Sequence, residues 1–181
     1  MTGLRASELR GLPWDAVDLK RGELHVRQRA DRYGTLGRPK SRAGQRTIPI
    51  GPMVVNTLRQ WKLARRASEL VFGTCTGRVY DHASLLRRTL LPAQIKAGIV
   101  TADGKPKYTF HALRHFYASW CINRRVDGGL ELPLKVVQSR LGHASIQMTA
   151  DRYGHLFPRG DDGSELVDAE RTLLTPVTGA I

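Results

Sequence analysis

Leu141-Gly142-His143, followed ten residues after the histidine by Tyr153 in Asp151-Arg152-Tyr153-Gly154-His155-Leu156-Phe157-Pro158, decides how this chain is read. The pattern predicts a helix over 134–141, a stop at Gly142, and a last helix from Ile146 to about Tyr153. His143 then sits on rigid backbone between two helices. Upstream lies His111-Ala112-Leu113-Arg114, on a helix expected from Thr109 through Arg124, with Leu113, Phe116, Tyr117 and Trp120 as its apolar face. The chain opens with Thr2-Gly3-Leu4-Arg5-Ala6-Ser7-Glu8-Leu9, where Thr2 is positioned to cap a first helix running to about Gly11. From these segments two arginines (Arg5, Arg114), two histidines (His111, His143) and Tyr153 are singled out. Such a set suits gripping one phosphate and attacking it with a phenol.

Between these segments the pattern changes. Leu24-His25-Val26-Arg27 alternates as a half-buried strand does, and Thr47-Ile48-Pro49-Ile50 reads as a second strand. Pro49 donates no ladder hydrogen bond, so it belongs at an edge or a strand end. The Gly- and Arg-rich stretch 30–46 joins them, and a hairpin with a long basic tip is expected. Gly51-Pro52 opens a helix to about Arg66. Asp81 can cap another over 83–96, bent by Pro92 and ended by Gly98. The expected fold class is therefore mainly α with a small antiparallel β-sheet near the N-terminal third.

The net charge of +13 favours a polyanionic partner, and nucleic acid is the commonest. The charge is uneven: residues 159–181 carry −3, which leaves +16 on the rest. A tail of that sign does not belong on the same polyanion. No apolar run approaches the roughly 18 residues of a membrane span. Cys75 and Cys121 form neither a metal-ligand spacing nor a disulfide framework, and the first residues do not read as a signal peptide, so a reduced cytoplasm is the expected location.

Cleaving a phosphodiester with a protein nucleophile sets three tasks: stabilising the extra charge on phosphorus, deprotonating the nucleophile, and protonating the leaving 5′ oxygen. Arg5 and Arg114 suit the first, because a guanidinium donates two parallel hydrogen bonds and stays charged. Glu8, three residues after Arg5, shares its helical face and can hold it. His111 and Arg114 share a face at i and i+3. His143 can donate to phosphate, Tyr153 is the candidate nucleophile and His111 its candidate base. His115, one position round from Arg114, is set aside. Lys40 is the candidate acid for the leaving oxygen, with Arg38, Arg42 and Arg46 around it as DNA-gripping charges. Singly, each motif has a plainer explanation: a surface ion pair, a solvent-facing histidine, a tyrosine with a local hydrogen bond. The weight lies in their conjunction.

In order and wording these motifs resemble the catalytic domain of the tyrosine recombinases, the phage-integrase family. The resemblance implies the integrase-like fold and a catalytic set of Arg5, Lys40, His111, Arg114, His143 and Tyr153, with Lys40 matched to the family's hairpin lysine. It implies strand breakage and rejoining through a 3′-phosphotyrosyl intermediate, with no cofactor and no metal, on double-stranded DNA, in a tetramer on paired sites. It also implies an N-terminal DNA-binding domain and further helices before the first arginine. Here Arg5 is preceded by four residues, so residues 1–158 are expected to be a truncated catalytic domain and 159–181 an acidic tail, either a segment docking on a neighbouring subunit or a simply disordered one. Two alternatives stay open at this point: a type IB topoisomerase relaxing supercoils as a monomer, and a non-enzymatic basic DNA-binding protein.

Overall fold

The computed structural model describes residues 2–65 and 68–157, and beyond them Leu166, Val167, Glu170, Arg171 and Leu174. Helices dominate, with a small antiparallel sheet, as the sequence pattern predicts. Strand β1 (Val17–Asp18) pairs with β2 (Glu23–Val26), and β2 pairs with β5 (Arg46–Pro49), so β5 is an edge strand and Pro49 its last residue. Leu24 stands opposite Ile48, and both are fully buried. On the other face His25 stands opposite Thr47, with Nδ1 and Oγ1 3.0 Å apart. Helix α2 (Pro52–Ala64), begun by Pro52, lays Val55 and Leu58 on this sheet. With Leu12, Ala16, Val26, Ile50 and Val71 they form one apolar core.

The connection between β2 and β5 is more ordered than the expected basic tip. Strands β3 (Arg29–Ala30) and β4 (Leu36–Gly37) form their own ladder, and a 3-10 turn (Arg42–Gly44) leads into β5. Asp31 stabilises the β3–β4 turn by accepting from the Tyr33 and Thr35 backbone N–H groups.

Asp81 caps α3 (His82–Leu85), accepting from Ser84 N–H at 2.9 Å. The expected bend at Pro92 takes the form of a π-turn (Leu86–Leu90) leading into α4 (Leu91–Lys96). Proline lacks the N–H that the preceding turn would use, and widening that turn relieves the clash of its ring with the carbonyl four residues back.

Helices α5 (Phe110–Ile122), α6 (Leu134–Leu141) and α7 (Ile146–Tyr153) build a second core from Tyr117, Ala118, Cys121, Ile122, Val137, Leu141 and Tyr153. The face α5 buries is only half the expected one: Tyr117 is buried and Trp120 packs against the core, but the other two positions turn outward. Leu113 and Phe116 are 47% and 57% exposed, while Arg114, Tyr117, Ala118 and Cys121 point inward. Those four recur at i, i+3, i+4 and i+7, and the small Ala118 and Cys121 admit close packing. A buried arginine on that stripe disguises it in a reading that counts apolar residues only.

The first helix also begins later than expected. Helix α1 spans Ala6–Arg10, and Thr2 does not cap it. Gly3 has φ +63°, and a Cβ there would lie 2.4 Å from the Tyr117 ring, so only glycine fits where the chain passes close against α5. The Arg5 backbone N–H is taken by Glu8 Oε2 at 2.8 Å. Most of the acidic tail lies outside the described residues; the five described there have helical backbone.

Candidate active site

The floor of the site joins the two cores through buried charge. Glu8 is 3% exposed and sits between two guanidiniums. Arg5 Nη1 donates to its Oε1 at 2.8 Å, and Arg46 donates Nη1 to Oε1 and Nη2 to Oε2, both at 2.9 Å. Burial pushes the Glu8 carboxyl up, but the hydrogen bonds and charge of Arg46 and Arg5 outweigh it and hold the group below the usual carboxylate range. Arg46 also donates Nε to the Arg140 carbonyl at 2.8 Å. This corrects the expectation for Arg46. It is not a DNA-gripping side chain of the loop, because its side chain is 3% exposed and both sides of its fork are occupied. Its place at the start of β5, directly opposite Val26, turns it inward.

The turn after α6 receives the arginines. Gly142 has φ +65°, and a Cβ on it would lie 2.8 Å from Arg46 Nη1 and 2.9 Å from the Ala43 carbonyl. Only glycine meets both the backbone angle and the close approach. Arg5 Nη2 donates to the Gly142 carbonyl at 3.1 Å. Arg114, 3% exposed, donates Nη1 to the Gly3 carbonyl and Nη2 to the Leu141 carbonyl. Two guanidiniums are thus fastened to consecutive carbonyls of one turn. Burial first, and the charge of Arg5 second, lower the Arg114 pKa to about 10, so it is still a cation at neutral pH. Each guanidinium carries five N–H groups, so donors remain for an oxyanion.

His143 follows in the same turn. Its Nδ1 lies 2.8 Å from Thr149 Oγ1, and Gln138 donates to its carbonyl at 3.1 Å. Burial, then the charges of Arg114, Arg5, Arg152 and Arg46, push its pKa down to about 4. It is a neutral imidazole at physiological pH when nothing anionic is bound.

Tyr153, at the end of α7, is 5% exposed. Burial raises the pKa of its phenol, against the pull of Arg114 and Arg152. Its hydroxyl therefore needs a base, and the ring at hydrogen-bond distance is His115, with Nδ1 2.6 Å away. His115 is the residue that sequence reasoning set aside. It lies one turn of α5 beyond His111, and their rings meet edge to face at 4.5 Å between centroids. The spacing of 38 residues between His115 and Tyr153 gave no sign of the contact; the inward rotation of α5 makes it. His111 is exposed, and burial with the charges of Arg114, Arg152 and Arg5 lowers its pKa.

Lys40 lines a cleft of about 320 Å³ together with Arg5, Ser7, Glu8, Arg29, Pro39, Ser41 and Gly44. The structure therefore brings Lys40 to the arginine floor. Arg38 and Arg42 are exposed nearby. The assembly presents fixed cationic donors, a neutral buried phenol beside an imidazole, and a lysine across the cleft. That is equipment for displacement at a phosphodiester.

The phage integrase family model matches residues 1–159. The chain belongs to the phage integrase family. It is similar to a XerC-like tyrosine recombinase of Caldanaerobacter subterraneus subsp. tengcongensis, 30% identical over 184 residues that cover 87% of this chain and 44% of the relative. The ICEBs1 integrase of Bacillus subtilis is 27% identical over 87% of this chain and 43% of that protein. The chain thus spans less than half the length of these curated relatives. The same fold is seen in the Tn1549 transposon integrase solved with circular intermediate DNA, at a TM-score of 0.66 and 23% identity, covering 94% of this chain and 56% of that one. The XerA recombinase crystal structure matches at a TM-score of 0.62 and 23% identity, over 97% of this chain and 55% of that one.

Proposed function

We propose that this chain breaks and rejoins DNA strands in site-specific recombination, through a 3′-phosphotyrosyl bond to Tyr153. The observation that carries the proposal is the pair of guanidiniums, Arg5 and Arg114, fastened to the consecutive carbonyls of Gly142 and Leu141 beside the buried phenol. Arg5 and Arg114 hold the non-bridging oxygens, with Glu8 and Arg46 fixing Arg5 from behind. His143 donates to the same phosphate. As the Tyr153 oxygen bonds to phosphorus, the bond to the 5′ oxygen breaks, and Lys40 supplies that oxygen with a proton. The phosphoester is conserved in the tyrosyl bond, so the free 5′ hydroxyl of a partner strand can reverse the step.

Double-stranded DNA is the partner this reading requires, and the +16 charge outside the tail favours it. Arg38 and Arg42 contact phosphates flanking the cleaved one. Residues 1–158 act as the catalytic domain. Strand exchange takes place in a tetramer on paired sites, with residues 159–181 docking on a neighbouring subunit. Relatives are named as recombinases and integrases, and one is solved with DNA, in keeping with this assignment. The test is a nicked suicide duplex spanning the ends of the encoding genetic element. A denaturant-stable protein–DNA adduct with a free 5′ hydroxyl on the released strand is expected. Binding with no adduct at any DNA end would leave only a basic DNA-binding protein.

A further inference from the structure

Tyr153 ends α7 with its hydroxyl turned into the structure rather than into open solvent. What meets it there is a stack of two imidazoles from α5. His115 Nδ1 lies 2.6 Å from the phenol oxygen, and the two rings are 5.7 Å apart, tilted by 59°. The His111 ring supports His115 edge-on from the preceding turn. On the far side of His115, Arg152 Nη1 reaches Nε2 at 3.4 Å, the long limit of a hydrogen bond. The proton acceptor suggested by residue order is His111, yet His111 is one ring further from the nucleophile.

We propose that His115 is a catalytic residue: its Nδ1 takes the Tyr153 hydroxyl proton as the phenol oxygen bonds to phosphorus, and returns it when the strand is rejoined. The inference rests on the cleavage chemistry proposed above. Its proton balance closes with that chemistry. The phenol proton goes to His115, the leaving 5′ oxygen takes one from Lys40, and religation reverses both transfers. The productive tautomer carries its proton on Nε2. Arg152 is exposed and only loosely placed against that nitrogen, and a DNA phosphate is the stronger acceptor for a guanidinium.

The groups facing His115 are His111 and Arg114 from α5 and Arg152 and Tyr153 from α7. Burial first, then His111, Arg152 and Arg114, lower its pKa, so it waits as a neutral acceptor. A phosphate dianion-like transition state among the same cations offsets their repulsion and makes the imidazolium easier to form as the reaction proceeds. The nucleophile is thereby activated most when substrate is present.

The test is single-turnover cleavage of the nicked suicide duplex by the whole chain, followed across pH. The unsubstituted chain should slow as pH falls through one ionisation, because the base must be neutral. His115→Asn keeps a polar atom near the Nδ1 position and removes the basicity. It should cleave at least about 100-fold more slowly, bind DNA as before, and lose that acid limb. A 5′-bridging phosphorothiolate, whose sulfur leaves without an acid, should not restore it. Replacing Tyr153 by a difluorotyrosine, whose phenol ionises more readily, should restore much of the rate, which a merely misfolded variant would not show. His111→Asn should slow the reaction yet keep the limb. Cleavage by His115→Asn at the original rate, an unchanged limb, rescue by the phosphorothiolate, or no rescue by difluorotyrosine would each overturn the assignment. Absence of any Tyr153 adduct with the unsubstituted chain is a separate outcome, which overturns the proposed function and this inference with it.

Discussion

The arginine floor and the Lys40 loop line the same cleft, yet they are built in opposite ways. On the floor, Arg5, Arg46 and Arg114 are held by a buried carboxylate and by backbone carbonyls of five separate residues: Gly3, Gly44, Arg140, Leu141 and Gly142. Their positions are settled before any substrate arrives, so they need no reorganisation when charge develops on phosphorus. Arg38, Lys40 and Arg42 face solvent on the connection between β4 and β5. On the proposed function, DNA would order them. A fixed anion site and an adaptable acid would then divide the work: one to recognise the phosphate, the other to respond to its arrival.

The sharpest way to break this contrast is to remove Glu8. Glu8→Ala leaves Arg46 buried without its anion, and breaking a buried ion pair in this way costs roughly 3–5 kcal/mol. Lys40→Ala should change stability by less than about 0.5 kcal/mol. Urea unfolding midpoints measure both. A small loss for Glu8→Ala would mean that the floor is not held by this carboxylate.

Lys40→Ala should instead act on chemistry. Cleavage should slow by about 100-fold or more, in the range removed with a general acid, and a 5′-bridging phosphorothiolate should restore it. Arg5→Ala should not be restored. Equal behaviour of the two variants would make Lys40 another phosphate clamp and erase the division.

His143 carries the contrast into pH. Its folded pKa of about 4 lies below the ordinary 6.5, so the unfolded chain takes up a proton that the folded chain resists. Stability from this group is fully present above pH 6.5 and is lost as pH falls towards the folded value. Thermal melts of DNA-free protein across that window should fall more steeply for the unsubstituted chain than for His143→Asn. Parallel curves would contradict the burial of a neutral imidazole in the floor. The smallest effect concerns the loop: Arg42→Ala should lower the salt dependence of DNA affinity by about one phosphate contact, and Arg46→Ala should leave it unchanged.

The fold class, both main strands, Gly142 as a helix stop and the Asp81 cap were legible, because each depends on local periodicity or on a single turn residue. What was not legible depended on helix rotation and on partners far along the chain. Arg46 reads as one more loop cation until β5 turns it against Glu8, 38 residues away. His115 reads as a bystander until α5 buries the stripe that includes Arg114. The twin tetrapeptides make the same point. Asp31-Arg32-Tyr33-Gly34 forms an exposed turn with Tyr33 77% exposed, while Asp151-Arg152-Tyr153-Gly154 ends a helix with Tyr153 at 5%. Identical residues take opposite roles because Ser145 caps a helix ahead of the second copy, and its N-terminus follows the His143 turn.

That pair also supplies the most direct test of the central assignment. The adduct formed on a nicked suicide duplex is digested with protease, and the DNA-linked peptide is identified by mass spectrometry. Linkage of Tyr153 to a 3′ phosphate is expected, with complete loss of adduct in Tyr153→Phe while DNA binding is retained, and no effect of Tyr33→Phe. An adduct on Tyr33 or Tyr108, or one that survives Tyr153→Phe, would contradict it.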